Sequence, residues 1–225
     1  MKIAALSDLH GYLPNDIEPS DIVVIAGDIC PLQCQRRIRE AMLWIYDFFI
    51  PWTESLPCEK VYVIAGNHDF VFDPKYSIYN GNLISKASDK IVYLEDSGAE
   101  YNGIKIYGTP WCQNLYSWAF YSANTYDKYK NIPDDTDLLI THQPPKVGKV
   151  GTTNPWSYNE RDFGDSNLTQ ILDEKKMHCV HICGHVHSGE HGGVQYGDAV
   201  VYNVSIKSEI YQVAYPVTYI EINDR

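Results

Sequence analysis

Val61-Tyr62-Val63-Ile64-Ala65 is a continuous apolar run, and Gly66-Asn67-His68-Asp69 ends it. A short apolar run rich in β-branched residues predicts a strand buried on both faces. The four residues that follow place an amide oxygen, an imidazole and a carboxylate at one end of that strand. Gly66 suits a backbone that turns sharply or must come close to another group.

Four more apolar runs end in the same way. Ile3 to Leu6 leads into Ser7-Asp8-Leu9-His10-Gly11, and Ile22 to Ala26 leads into Gly27-Asp28. Leu138-Leu139-Ile140 leads into Thr141-His142-Gln143-Pro144-Pro145, and Cys179 to Cys183 leads into Gly184-His185-Val186-His187. Each block alone is ordinary turn chemistry. In α/β sheets, however, ligands bind beyond the carboxyl ends of the strands. If these strands share an edge, nine side chains converge: Asp8, His10, Asp28, Asn67, His68, Asp69, His142, His185 and His187. Imidazoles with carboxylates and one amide suit borderline divalent metals rather than calcium or a thiolate-bound structural zinc. Seven ligands exceed the need of one ion, so one carboxylate should bridge two, as in the two-metal clamp for in-line displacement at phosphorus.

The remaining segments supply the architecture. Gln35 to about Phe49 has apolar residues at helical spacing (Ile38, Met42, Ile45, Phe49), with Pro51 and Pro57 predicted to close the helix. Tyr76 to Ala87 fits a helix or a loop. Asn102-Gly103 signals a hairpin between Ala99–Tyr101 and Ile104–Tyr107. Thr125 to Lys130 predicts a short helix, and Asp165 or Ser166 caps another that runs to about Lys176. Strands around Val194, Val200–Val204 and Val217–Ile222 finish the chain. Helices alternate with strands early and strands cluster later, which predicts an α/β fold: a four-layer α/β/β/α sandwich of two mixed sheets flanked by helices. With no internal repeat or linker, residues 1–225 are expected to be a single domain.

The 225 residues carry 18 Lys and Arg against 29 Asp and Glu, a formal charge of −11. That balance disfavours a nucleic-acid duplex or an anionic membrane as a partner. A phosphate substrate stays compatible, because bound cations reverse the local sign. The strand at Ile3 leaves no room for a signal peptide, and no apolar run is long enough to span a bilayer. Six cysteines without a disulfide framework then read as reduced thiols in a cytoplasmic protein, with Cys179 and Cys183 buried and structural. His181 reads as a core or sheet-surface residue, and His178 as a surface residue. His191, after the Gly189 turn, is open between the surface and the crevice.

The ordered blocks D-x-H, G-D, G-N-H-D, H and G-H-x-H resemble the calcineurin-like metallophosphoesterase superfamily, from Asp8 to His187. Thr109-Pro110-Trp111, Trp118-Ala119-Phe120, Thr141-His142-Gln143-Pro144-Pro145 and Asn203-Val204-Ser205 resemble its compact class, which includes brain metallophosphoesterase-domain proteins and microbial or phage phosphodiesterases. Gln143, where glycine is common, and residues 146–163 depart from that pattern. The resemblance implies two divalent ions of the Mn, Fe, Zn or Ni class. Asp8, His10 and His187 would hold one, Asn67, His142 and His185 the other, and Asp28 would bridge them with a shared hydroxide that attacks phosphorus in line. His68 would be the general acid, with Asp69 orienting its imidazole. Trp111, Trp156 and Arg161 are candidate substrate contacts, whereas Trp118 and Phe120 read as core. The expected activity is hydrolysis of small or nucleotide-type phosphodiesters. The alternatives are a phosphomonoesterase or protein phosphatase, or a binding module that keeps the fold without catalysis.

Overall fold

A computed structural model describes residues 1–222. One sheet has the order β13-β1-β2-β3-β4. Its strands β1 (Lys2–Leu6), β2 (Ile22–Ala26), β3 (Lys60–Ile64) and β4 (Ile91–Tyr93) run parallel, and β13 (Thr218–Glu221) is an antiparallel edge. The second sheet has the order β11-β12-β10-β7-β6-β5. In it β6 (Ile104–Thr109), β7 (Leu138–Thr141), β10 (Val180–Cys183) and β12 (Ala199–Asn203) are parallel. Antiparallel β5 (Ser97–Tyr101) and β11 (Gly192–Tyr196) close its two sides. The two-residue strands β8 (Thr152–Thr153) and β9 (Arg161–Asp162) make a separate hairpin.

Alternation along each strand explains the layers. Ile3, Ala5, Ile22, Val24 and Ile64 face the second sheet, where Ile106, Leu138, Ile140 and Ile182 meet them. The intervening residues Ala4, Leu6, Val23, Ile25 and Val63 face Ala41, Met42, Ile45 and Phe49 of the first helical layer. On the outer side of the second sheet, Leu139 and Tyr107 pack on Leu168, Ile171 and Leu172. Parallel strands covered on both faces read as near-continuous apolar runs, which is why regular polar alternation is missing here. Each fully buried Ile or Leu contributes about 1.5–3 kcal/mol. The observed sandwich is the four-layer α/β/β/α arrangement with two mixed sheets.

The first helical segment passes Pro51 and ends at Ser55, just before Pro57. The helix α1 (Ile38–Trp44) passes through a π-helical turn, Ile45–Phe49, into α2 (Ile50–Ser55). The Ile50 N–H donates to Ile45 O across the wider turn, so Pro51 falls in the first turn of α2, where a missing N–H has little cost. Burial of Trp52 and Thr53, with the Trp52 indole N–H donating to Pro14 O at 2.9 Å, favours the extension. Between Tyr76 and Ala87 only α3 (Asn82–Ala87) is helical. Asn102 and Gly103 both have positive φ in the β5–β6 turn, as a tight hairpin requires.

Among the described residues no helix is long and apolar enough to cross a membrane. All six cysteines are free thiols. Two helices cover the outer face of the second sheet: α4 (Tyr126–Tyr129) and α5 (Ser166–Glu174). Asp165 caps α5, accepting from Asn167 N at 2.8 Å and Leu168 N at 3.4 Å. Asp165→Ala is expected to lower unfolding free energy by about 1–2 kcal/mol in urea titration, and an unchanged midpoint would contradict the cap.

Candidate metal centre

The carboxyl ends of β1, β2, β3, β7 and β10 lie along one edge of the sandwich, and the polar blocks follow them there. Two hydrogen bonds join the sheets at this edge, Ser7 N to Val204 O at 2.9 Å and Ile206 N to Ser7 O at 3.1 Å. Asp8, His10, Asp28 and His185 all have left-handed backbones, with φ of 58°, 43°, 56° and 67°. Such residues cost on the order of 1 kcal/mol or more each and cluster where a site requires them. The turns are tied down by Asp8 N to Gly27 O, His10 N to Asp28 O, and His185 N to Asp8 Oδ2, each at 2.9–3.0 Å.

Donor atoms that share one ion at about 2.1 Å stand about 3.0–3.4 Å apart. His10 Nε2 and His187 Nε2 are 3.4 Å apart, and His187 Nε2 is 3.4 Å from Asp8 Oδ1. In a second group, Asn67 Oδ1 lies 3.1 Å from His142 Nε2 and 2.8 Å from His185 Nδ1. Asp28 stands between them, with Oδ2 3.7 Å from His10 Nε2 and Oδ1 3.3 Å from His142 Nε2. Two half-sites therefore meet at one carboxylate. Together the donors form a dinuclear divalent metal-binding site.

Glycine makes the approach possible. A Cβ at Gly66 would collide with Asp28 Oδ1, and one at Gly184 would come within 2.5 Å of Asp8 Oδ2. The ring nitrogens turned away from the centre are anchored: His142 Nδ1 faces Ala26 O at 2.8 Å and His187 Nδ1 faces Ser208 O at 2.9 Å. Backbone carbonyls of this kind hold an imidazole in the tautomer that ligates through Nε2.

Burial opposes every charge here, and proximity decides the outcome. Despite burial, His187 and His142 hold Asp8 and Asp28 below the usual carboxylate range. Against the same burial, Asp28 raises His142 and Asp8 raises His187, each to about 9. Burial prevails at His10, lowered to about 4, and at His185, lowered to about 3.

His68 lies over the Asp28 half of the crevice, with Nε2 3.8 Å from Asp28 Oδ2. The sequence expectation that Asp69 orients this imidazole is not met. Asp69 accepts from Ile29 N and Cys30 N at 2.9 Å and Gly66 N at 2.8 Å, fastening the β2 and β3 turns together. The partner of His68 Nδ1 is Gln35 Oε1. Burial pushes Asp69 up to about 6, and these amides oppose it.

A cavity of about 210 Å³ opens over the donors, with walls from Leu115, Trp118, Glu209 and Tyr211. Trp118, expected in the core, contacts His68 with ring centroids 4.5 Å apart. Tyr211 lies 4.9 Å from the His10 ring and 5.1 Å from His187. Neither Tyr211 nor Gln35 belongs to a motif; both arrive by tertiary packing from polar loops. Trp111 lies elsewhere, its indole donating to Asp96 at 2.8 Å and Lys128 Nζ 3.6 Å from its ring centroid. Arg161 lines an adjoining groove with Tyr158, Phe163 and Glu209, while Trp156 is 77% exposed on the outer turn of that hairpin. His181 is core, 2.8 Å from Thr141 Oγ1, and His191 stacks on Tyr215 at 3.8 Å, outside both half-sites. Gln143 explains one departure through the other: its Oε1 accepts Gln113 N and its Nε2 donates to Phe163 O, both at 2.7 Å. It thus pins residues 146–163 beside the crevice.

A family model described as calcineurin-like phosphoesterase matches residues 1–189. Human metallophosphoesterase domain-containing protein 1 is 27% identical, over 98% of this chain and 71% of its own length. Among solved structures, one at 18% identity superposes with a TM-score of 0.66, covering 90% of this chain and 89% of its own. A dimetal phosphatase from Danio rerio, 12% identical, has a TM-score of 0.52 over 92% and 87%. At these identities the structures are alike in fold.

Ions at this site must displace the protons that His142 and His187 carry below about 9. Manganese titration of metal-stripped protein at pH 7, by calorimetry in buffers of different ionisation enthalpy, is expected to release about two protons, with affinity rising towards pH 9. The stripped protein should show the opposite trend. Imidazoles raised on folding contribute stability fully below about 6.5 and lose it as pH climbs through about 9. Proton-independent binding would contradict these pairings.

Proposed function

Because the chain belongs to the calcineurin-like phosphoesterase family, we propose that it is a metal-dependent phosphoric ester hydrolase that prefers small or nucleotide-type phosphodiesters. The observation that carries this is the placement of Asp28, one oxygen towards each half-site, with the His68 imidazole above it. Asp8, His10 and His187 would hold one ion and Asn67, His142 and His185 the other. Bound divalent ions would neutralise phosphate charge and lower the pKa of water at the site.

The protein's own groups do the rest. Asp28 aligns the two halves, and the carbonyls of Ala26 and Ser208 fix His142 and His187. Gln35 Oε1 accepts from His68 Nδ1–H, so the proton given to a leaving oxygen would be the Nε2–H of the doubly protonated ring, a form that burial opposes and the neighbouring Asp28 favours. Asp69 keeps the β2 and β3 turns in register, so its contribution is positional. Trp118 and Tyr211 wall the crevice and limit water around His68.

The diester preference is supported by the shape beside the centre. Glu209 lines both the donor cavity and a groove of about 560 Å³ bearing Arg161, Tyr158 and Phe163. A monoester has one organic substituent to place, whereas a diester has two, and the two concavities suit one each. Arg161 and Tyr158 are the contacts favoured for the distal substituent, and Trp111 drops out as a contact. Free cysteines support a reducing compartment such as the cytoplasm.

Metal-stripped protein resupplied with manganese, nickel, zinc or magnesium should hydrolyse bis(p-nitrophenyl) phosphate faster than p-nitrophenyl phosphate. Monoester dominance would replace the diesterase with a phosphatase, and no turnover with metal bound would leave a binding module. Asp28→Asn should lose both ions and nearly all activity by elemental analysis and assay. His68→Ala should keep its ions and lose about 10²–10⁴-fold on esters with poor leaving groups, and far less on aryl esters. Equal losses on both would rule out His68 as the acid.

A further inference from the structure

One donor beside the second half-site has no part in the set of seven. Cys112, in the loop after β6, is fully buried, and its Sγ lies with one nitrogen each of His142 and His185 in a group no more than 4.8 Å across. In a tetrahedral site with zinc–sulfur at about 2.3 Å and zinc–nitrogen at about 2.1 Å, sulfur and nitrogen stand about 3.6 Å apart. An adjustment of about 1 Å therefore brings all three donors to one ion. Sγ faces Pro110 O at 3.8 Å and the backbone N–H of Gln143, a donor that favours the thiolate against its burial.

The backbone holds Cys112 there on both sides. Its N–H donates to Phe120 O and its carbonyl accepts from Ser122 N, each at 2.9 Å, and Ala119 N reaches Asn67 O at 3.2 Å. The next residue, Gln113, donates its N–H to the Gln143 side chain at 2.7 Å. The segment that presents the thiol is thus stapled to the turns that present Asn67 and His142.

We propose that Cys112 is a conditional metal ligand, its sulfur joining His142 and His185 around a thiophilic divalent ion such as zinc, cobalt or cadmium. It would stay uncoordinated with manganese or magnesium. Coordination forms one sulfur–metal bond and breaks the S–H bond, and the proton leaves to water. Soft thiolate against hard oxygen donors is what separates these metals. The half-site would then change its donor set with the ion it receives. This inference rests on the metal centre proposed above.

The test is cobalt(II) titration of metal-stripped protein, followed by near-ultraviolet absorption, with bound cobalt counted by elemental analysis. A sulfur-to-cobalt charge-transfer band is expected. Cys112→Ser and Cys112→Ala should lose it, and Cys179→Ser, far from the centre, should keep it. Cadmium affinity should fall on the order of tenfold in the Cys112 variants, while manganese affinity and stoichiometry stay unchanged, which also reports that they fold. Two cobalt ions bound without the band, or a band that survives both substitutions, would overturn the ligand and leave the centre standing. Failure to bind any metal would overturn both.

Discussion

The carboxylate of Asp28 is 2% exposed and surrounded by the imidazoles of His10, His68 and His142. A buried anion is tolerated only when opposite charge and donors compensate it. Much of the local structure follows from that requirement. Asp28 Oδ1 also accepts His68 N at 2.8 Å, so the anion shapes the β3 turn as well as the donor set. Gly66 gives up its side chain to make room for it, and Asp69 binds the two turns on either side.

The two sheets contribute unlike groups to this arrangement. The first supplies both carboxylates, Asp8 and Asp28, together with Asn67, His10 and His68; the second supplies only imidazoles, His142, His185 and His187. Neither half-site is complete within one sheet, since His187 meets Asp8 and His142 meets Asn67 across the seam. Packing between Ile3, Val24, Leu138 and Ile182 therefore sets donor spacing as well as stability. Ser7, hydrogen-bonded to Val204 and Ile206, fixes the same seam at the edge where the chemistry lies.

The strands and donor blocks were legible because both rest on local pattern: a doubly buried parallel strand is apolar along most of its length, and its polar residues collect at its end. The layer arrangement follows from the same pattern. What escaped the sequence depends on distance in space. Gln35 reaches His68 from 33 residues away, and Tyr211 covers His10 and His187 from the C-terminal segment. Asp69 was assigned to its sequence neighbour, yet its oxygens point to amides of the β2 turn. The helix passed its proline because a π-helical turn shifted the bonding pattern, a change that periodicity does not encode. Trp118 reads as core from composition alone and is in fact shared between core and crevice.

Four of the donor residues sit in left-handed backbone that a glycine would adopt more easily. At those positions the folding preference of the chain and the needs of its chemistry disagree, a form of local frustration. A library screened for thermal tolerance alone would tend to exchange His10 or His185 for glycine or asparagine, since Asp8 and Asp28 also hold buried amides and imidazoles in place. It would thereby relax the backbone and dismantle the centre. The most durable version of this fold and the working version are therefore different sequences, and they diverge first at the turns that hold the donors.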